Sequence, residues 1–232
     1  MVRPKRSEQT INLNSEIKAK AWEQIAEFGA AALSLRRIAR ALGIAAPSIY
    51  HYYPNRDALV TALILEAFNS LAETLRQAAA AAAAEDYPAK LATMGRAYRQ
   101  WAMDQPQRYQ LIFGTPIPGY AAPEEITLPA AAAGFVPLTE TLQAALTAGR
   151  LRMDILPPLT PNLASMLNEW QRVEEHADSE VLYLALIFWS RIHGLMMFEI
   201  NGQFPSFIAD PGEVFDREMN MIGIQYFGME IR

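Results

Sequence analysis

The chain has 232 residues, 51% of them apolar and 19% charged, with a formal net charge of −5. Those proportions supply a packed core and exclude a disordered chain, and the lack of any cysteine excludes disulfides, thiolate metal sites and a cysteine nucleophile. The longest apolar run, 181–189, is far shorter than the ~20 residues of a membrane span, and the start MVRPKRSEQT has no apolar stretch of a secretory signal. A soluble intracellular protein is expected. The acidic total argues against a nucleic-acid partner, but its distribution reverses that. Residues 1–60 carry nine Lys/Arg against five Asp/Glu, a net +4, whereas 61–232 carry eleven against twenty, a net −9. A basic head on an acidic body is the charge footprint of a small DNA-binding domain joined to something else.

Residues 3–12 are polar and read either as a frayed terminus or as a basic arm that touches phosphates or the minor groove. A helix is expected over 14–28, capped by Asn14 or Ser15, with Ile17, Ala21, Ile25 and Phe28 as its buried stripe and Gly29 as its stop. Ser34 then caps a short helix in which Ile38, Ala39 and Leu42 share a face, and Gly43 ends it. Pro47 sits near the start of another short helix, where its missing N–H costs nothing. Two short helices about a Gly-centred turn are the grammar of a helix-turn-helix. Asn55 caps a long helix over 56–84, roughly 40 Å in length.

Helices are expected over 88–104 and 106–114. Four prolines in 115–129 mark that stretch as a loop. Further helices are expected over 130–149, 162–176, 178–200 and 210–227, the last opened by Asp210 and Pro211. No strand with period-two alternation is found. The fold class is all-α with about nine helices. A head over 1–60 and a body over 61–232 are the expected domains.

The segment 33–59, LSLRRIARALGIAAPSIYHYYPNRDAL, resembles the DNA-binding domain of the tetracycline-repressor (TetR) family of transcriptional regulators. The resemblance is carried by 21–29, then Ser34, Arg36, Ile38, Ala39 and Gly43, then Ile49, Tyr50, Tyr53, Pro54, Asn55, Arg56 and Leu59. It covers about a quarter of the chain. The stretches QPQRYQLIFGTPIPGY and FWSRIHGLMMFEINGQF resemble a subgroup with a Trp-x-x-x-His-Gly pattern, here Trp189, His193 and Gly194.

The resemblance implies that the second short helix lies in the DNA major groove. By carry-over, Arg36 and Ser48 reach base edges, and Ala46 and Pro47 touch thymine methyls. Ser34, Arg37, Tyr50, His51, Tyr52 and Arg56 hold the backbone. Tyr53 is expected in the core. One departure stands out: Ala45 and Ala46 occupy positions that are usually polar in the family. This removes a side-chain cap worth ~1 kcal/mol and a potential base reader. The resemblance also implies a body that binds a small, mostly apolar effector and forms a homodimer on a palindromic operator. Tyr98, Trp101, Tyr109, Phe113, Met166, Trp170, Trp189, His193 and Met197 are the candidates for effector contacts. Leu184, Ile187, Arg191, Gly194, Phe215, Met219 and Ile222 are the candidates for the dimer interface, on the last two helices.

An enzyme is the rival class. The chain has three histidines and no HExxH, Gly-rich phosphate loop or GxSxG, and Glu174, Glu175 and His176 read as a solvated helix end. No catalytic residue, cofactor or metal is expected. The expected function is a cytoplasmic, nucleoid-associated prokaryotic repressor released from DNA by its effector. The alternative is a DNA-binding protein of the same fold controlled by a protein partner.

Overall fold

The computed structural model describes residues 6–83, 85–171 and 177–230, with side chains from residue 13 onward. Among the described residues there are eleven α-helices, one 3-10 turn and no strand. They are α1 (Arg6–Phe28), α2 (Leu35–Ala41), α3 (Ala46–Tyr50), α4 (Arg56–Ala81), α5 (Tyr87–Asp104), α6 (Pro106–Phe113), α7 (Glu124–Ala132), α8 (Val136–Thr147), α9 (Pro161–Gln171), α10 (Ser179–Ile200) and α11 (Pro211–Phe227); the 3-10 turn is Ala30–Ala32.

The count exceeds the expected nine for identifiable reasons. The proline-marked stretch holds α7, which begins right after Pro123 and carries Pro129 at its sixth position. Thr127 closes its first turn by donating from Oγ1 to the Pro123 carbonyl at 3.0 Å. The helix expected over 130–149 is therefore two, parted around Gly134, with Pro137 in the first turn of α8. At the other end, α1 starts at Arg6 rather than at Asn14, because no proline or glycine interrupts 6–28. Asn14 lies inside that helix and caps nothing. Arg3 and Lys5 of the expected arm, and Glu174, Glu175 and His176, lie outside the described residues.

The chain divides into two compact units. The first comprises residues 1–68 and 105–130, the second 69–104 and 131–232. A single cut at residue 60 misses the return of 105–130 to the head. The reason is apolar: Leu111, Ile112, Ile117 and Tyr120 pack on the head core formed by Ile17, Ala21, Ile38, Ile49, Leu59 and Leu63. Each of those six core residues is fully out of contact with water, worth roughly 1.5–3 kcal/mol apiece for the larger ones.

In the second unit α5 packs against α8, α10 and α11, and α10 against α8, α9 and α11. Gly95 permits the α5–α11 approach, since a Cβ there would stand 2.8 Å from Met219 Sδ. Arg99 on α5 and Glu199 on α10 form a two-pronged ion pair, with Nε donating to Oε2 at 2.8 Å. Helices α4 and α10 are long and apolar enough, by length and composition, to cross a membrane. In α10, however, Val181, Leu182, Leu184, Ala185, Phe188, Ile192 and Met196 are buried within the unit, as in a core helix.

Candidate nucleic-acid interface and aromatic cluster

The helix-turn-helix is built from local rules. Ser34 caps α2 by accepting from the Arg37 backbone N–H, at a long 3.4 Å. Buried Gln24 accepts from the Ser34 N–H at 3.2 Å and so fastens this cap to α1. Gly43 takes φ +66°, and Ile44 N–H closes back on the Ala39 carbonyl at 3.0 Å, a left-handed helix stop. Ala45, at the cap position of α3, makes no side-chain cap hydrogen bond, and Pro47 sits in the first turn.

Five residues cannot sustain a helix alone. Ile49, with no exposed surface, anchors α3 in the head core. Pro47, Ser48, Tyr50 and His51 are left exposed, with Ala46 and Tyr52 half-buried. His51 and Tyr52 meet edge to face at 5.7 Å. On α2 the buried Leu35, Ile38 and Ala39 leave Arg36, Arg37 and Arg40 exposed.

Two of the expected backbone-holding cations make contacts with the protein itself. Arg37 lies over the Phe28 ring at 4.5 Å. Arg56 donates from Nη2 to the Ala30 and Ala31 carbonyls, at 3.4 and 3.3 Å, binding the start of α4 to the 3-10 turn before α2. Its geometry is that of a brace. Tyr53 is buried and donates its hydroxyl to Asn14 Oδ1 at 2.6 Å. Burial first, and then the charge of Glu66, push its phenol above the ordinary value.

The sequence reading missed the polar centre of this unit. Glu66, on α4, receives Trp22 Nε1 at 3.0 Å, Arg108 Nη2 at 2.8 Å and Lys18 Nζ at 2.5 Å. Arg108 also lies over the Trp22 ring at 4.9 Å. Burial alone raises the Glu66 carboxyl, but the hydrogen bonds from Lys18 and Trp22 and the charges of Lys18 and Arg108 hold it below the ordinary glutamate range. The available signal was the spacing of Asn14, Lys18 and Trp22, a stripe of i, i+4, i+8 beside the apolar stripe of Ile17, Ala21 and Ile25.

In the second unit Tyr98 Oη and His193 Nδ1 are 3.2 Å apart. His193 stacks on Trp189 at 4.6 Å and 25°, Trp189 meets Phe135 at 5.4 Å, and Phe135 meets Trp170 at 6.0 Å. Burial lowers the His193 pKa, favouring the neutral imidazole. Trp101 is buried nearby in sequence and donates Nε1 to Ser70 Oγ at 3.0 Å. Met197 is half-buried on α10.

Three other expected effector residues stand apart. Met166 is 61% exposed. Tyr109 and Phe113 belong to the first unit, where they pack together at 5.2 Å and Phe113 meets Phe68 at 6.0 Å. Two surface concavities exist elsewhere in the second unit. A cleft of about 720 Å³ is lined by Tyr87, Arg150, Arg152, Asp154 and Phe227 among others, and a groove of about 930 Å³ runs along α11 past Arg217, Met221 and Ile224. None of the aromatic cluster borders either.

The expected interface residues divide in the same way. Leu184, Phe215, Met219 and Ile222 are interior side chains of their own unit, so their helical faces are turned from solvent. Arg191 pairs with Glu218 and donates to Gln225 at 3.2 Å. Ile187 is half-buried, and a side chain at Gly194 would have nothing within 4 Å. The outward apolar surface of α10 and α11 is carried by Leu186, Phe198 and Met221, which the sequence reading did not name. Among the described residues no group of three or more His, Cys, Asp or Glu is placed to hold a metal ion.

The family models for bacterial regulatory proteins of the tetR family and for the tetracyclin repressor-like C-terminal domain match residues 17–63 and 91–222. The chain belongs to the tetR family. It is 29% identical over 225 residues to the HTH-type transcriptional regulator Rv1816 of Mycobacterium tuberculosis, covering 94% of each chain. A solved candidate regulatory protein, SCO4313, is 37% identical, covers 94% of this chain and 98% of its own, and superposes with a TM-score of 0.76. A Rhodococcus sp. RHA1 protein of unknown function shares the fold at 21% identity and TM-score 0.72, over 93% and 95% of the two chains. A tetR-family chain is a transcriptional regulator with an N-terminal DNA-binding domain, and 17–63 is that domain here.

Proposed function

We propose that this tetR-family regulator is a cytoplasmic, nucleoid-associated homodimer that represses transcription at a palindromic operator and is released by a small, largely apolar effector. The observation that carries the DNA-reading half is the arrangement of the head: Ile49 holds a five-residue α3 in the core while Pro47, Ser48, Tyr50 and His51 stay exposed. With the exposed Arg36 they supply base and phosphate contacts. Ala46 and Tyr52 add partial contact. Ser34, Arg37 and Arg56 set the shape of that surface, as cap, ring-stacked cation and brace. No enzymatic role is assigned.

The effector half rests on the ring chain Tyr98–His193–Trp189–Phe135–Trp170, with Trp101 and Met197 as further candidates. Burial keeps His193 neutral there, which suits an uncharged aromatic ligand. For the dimer, the outward side of α10 and α11 replaces the interior one, with Leu186, Ile187, Gly194, Phe198 and Met221 as its contacts. Twofold pairing of such faces builds a four-helix bundle and spaces two heads for half-sites about one turn, or a multiple, apart.

The test joins two measurements on the purified full chain. Duplex fragments flanking its own gene are titrated by fluorescence anisotropy, and a panel of hydrophobic compounds is screened by thermal shift. Retention of one fragment and its release by a stabilising compound supports the reading. Binding without release by any stabilising compound removes the effector half, and failure to retain any fragment at low salt removes the operator half.

A further inference from the structure

The Glu66 cluster ties three helices of the DNA-reading unit through one carboxylate. Lys18 and Trp22 come from α1, Glu66 from α4 and Arg108 from α6. Nearer the start of α1, Asn14 takes the hydroxyl of Tyr53, three residues past the reading helix α3, at 2.6 Å. Asn14, Lys18 and Trp22 are four apart, so they form one polar stripe along α1. That stripe is held at one end by Tyr53, just downstream of α3, and at the other by Glu66.

Apolar packing of Leu111 and Ile112 on the head core would hold α6 in place without fixing its register, because hydrophobic contact is non-directional. A planar guanidinium that both donates to a carboxylate and covers an indole face admits far fewer arrangements. Arg108 therefore orients α6 against α1 and α4. Its side chain is three-quarters covered, as is that of Glu66, so it is spent inside the protein rather than on a surface for phosphates.

We propose that Arg108, acting through Glu66, is a positioning residue for DNA recognition: it fixes α1 against α4 and thereby the surface that α2 and α3 present. This rests on the DNA-reading half of the function above. It concerns sequence-specific binding, not the general attraction of the head for DNA, because Arg108 touches protein groups.

The experiment uses the full chain and a duplex selected by that chain from a random pool. Affinity for this duplex and for a scrambled duplex of the same length is measured across a salt series. Arg108→Gln is expected to weaken the selected duplex roughly tenfold while leaving the scrambled one and the salt slope unchanged, since no phosphate contact is lost. Arg108→Lys recovers part of the loss. Glu66→Gln combined with Arg108→Gln is no worse than the more severe single change, the behaviour of one coupled unit. Trp22→Phe keeps the ring and removes only its N–H, giving a two- to threefold loss, about the size of one hydrogen bond's net contribution, and stands in if the other variants unfold. A lowered melting temperature with unchanged affinity would overturn the proposal and leave a structural role. Parallel weakening of both duplexes with a shallower salt slope would overturn it in favour of a phosphate contact. If the wild type selects no duplex, the DNA-reading half fails and this inference fails with it.

Discussion

In the head unit a five-residue helix carries the surface that matters, and it has too few hydrogen bonds to hold itself. Its position comes from elsewhere: Ile49 below it, the Gly43 stop before it, and the ties of Tyr53, Arg56 and Glu66 around it. In the body unit a 22-residue helix, α10, carries buried core residues on one side and the cluster residues Trp189 and His193 on another. There the rings of Phe135, Trp170, Trp189 and His193 touch one another. The head's exposed surface is fixed by polar braces around a short helix, whereas the body's ring chain is fixed by ring-on-ring packing with one polar contact, Tyr98 to His193. The proposed DNA-reading surface must not deform, whereas the proposed effector site must have more than one arrangement of nearly equal free energy.

The largest effects that sharpen this contrast are core truncations. Ile38→Ala in the head and Leu184→Ala in the body should each cost about 2–5 kcal/mol in chemical denaturation, because both side chains are fully buried. For Leu184→Ala the proposed dimer should persist at concentrations where the variant is folded, as judged by sedimentation. Selective loss of the dimer with unchanged stability would return Leu184 to the interface. Met221→Ala should behave oppositely, weakening association while changing subunit stability by less than about 0.5 kcal/mol, as expected of an exposed position.

The polar braces should show intermediate effects. Tyr53→Phe removes one hydrogen bond to Asn14 and should cost about 1 kcal/mol, read as a shift in denaturation midpoint at constant slope. Helix caps come last. Ser34→Ala should cost about 0.5 kcal/mol, the low end of the cap range, given its long bond, and Ala45→Ser should stabilise by a similar amount. A null result at Ala45→Ser would show that α3 is already fixed by Ile49.

Acid should weaken both units, but in different pH windows. His193 has a folded pKa below the ordinary value of about 6.5, so the unfolded chain takes up a proton first as pH falls. Its neutral form therefore favours folding above that value, and body stability is lost as pH drops through the ordinary value toward the folded one. Glu66 is also depressed, but from the ordinary glutamate value, so its contribution to the head is present above that value and lost at lower pH. A stability profile of His193→Gln should lack the first fall and keep the second. If both persist, the His193 assignment is wrong.

Much of the head was legible because its rules are local. Ser34, Gly43, Pro47 and Asn55 sit where cap, turn and first-turn chemistry requires them, and the structure uses each in that way. The body was less legible because facing depends on tertiary packing. A helix apolar around much of its circumference does not declare which side is inward, and Leu184 and Leu186 are nearly indistinguishable in sequence. For the same reason the assignment of Tyr109 and Phe113 to the body failed to anticipate that 105–130 packs with the head. Pro129 within α7 misled the reading of 115–129, since a proline near a helix end weakens a helix without forbidding it. The role of Glu66 required three partners from separate helices, and only the Asn14, Lys18, Trp22 spacing hinted at it.

On the function proposed above, the exposed surface of α2 and α3 reads a specific DNA sequence. The most direct measurement is a salt-dependent titration of wild type and Arg36→Ala, as full chains, against the duplex that the wild type selects from a random pool. Arg36→Ala should weaken binding by about 1–3 kcal/mol and relax preference at one base-pair position in each half-site. Equal affinity of wild type and Arg36→Ala, with no base-pair preference in the selected pool, would contradict it.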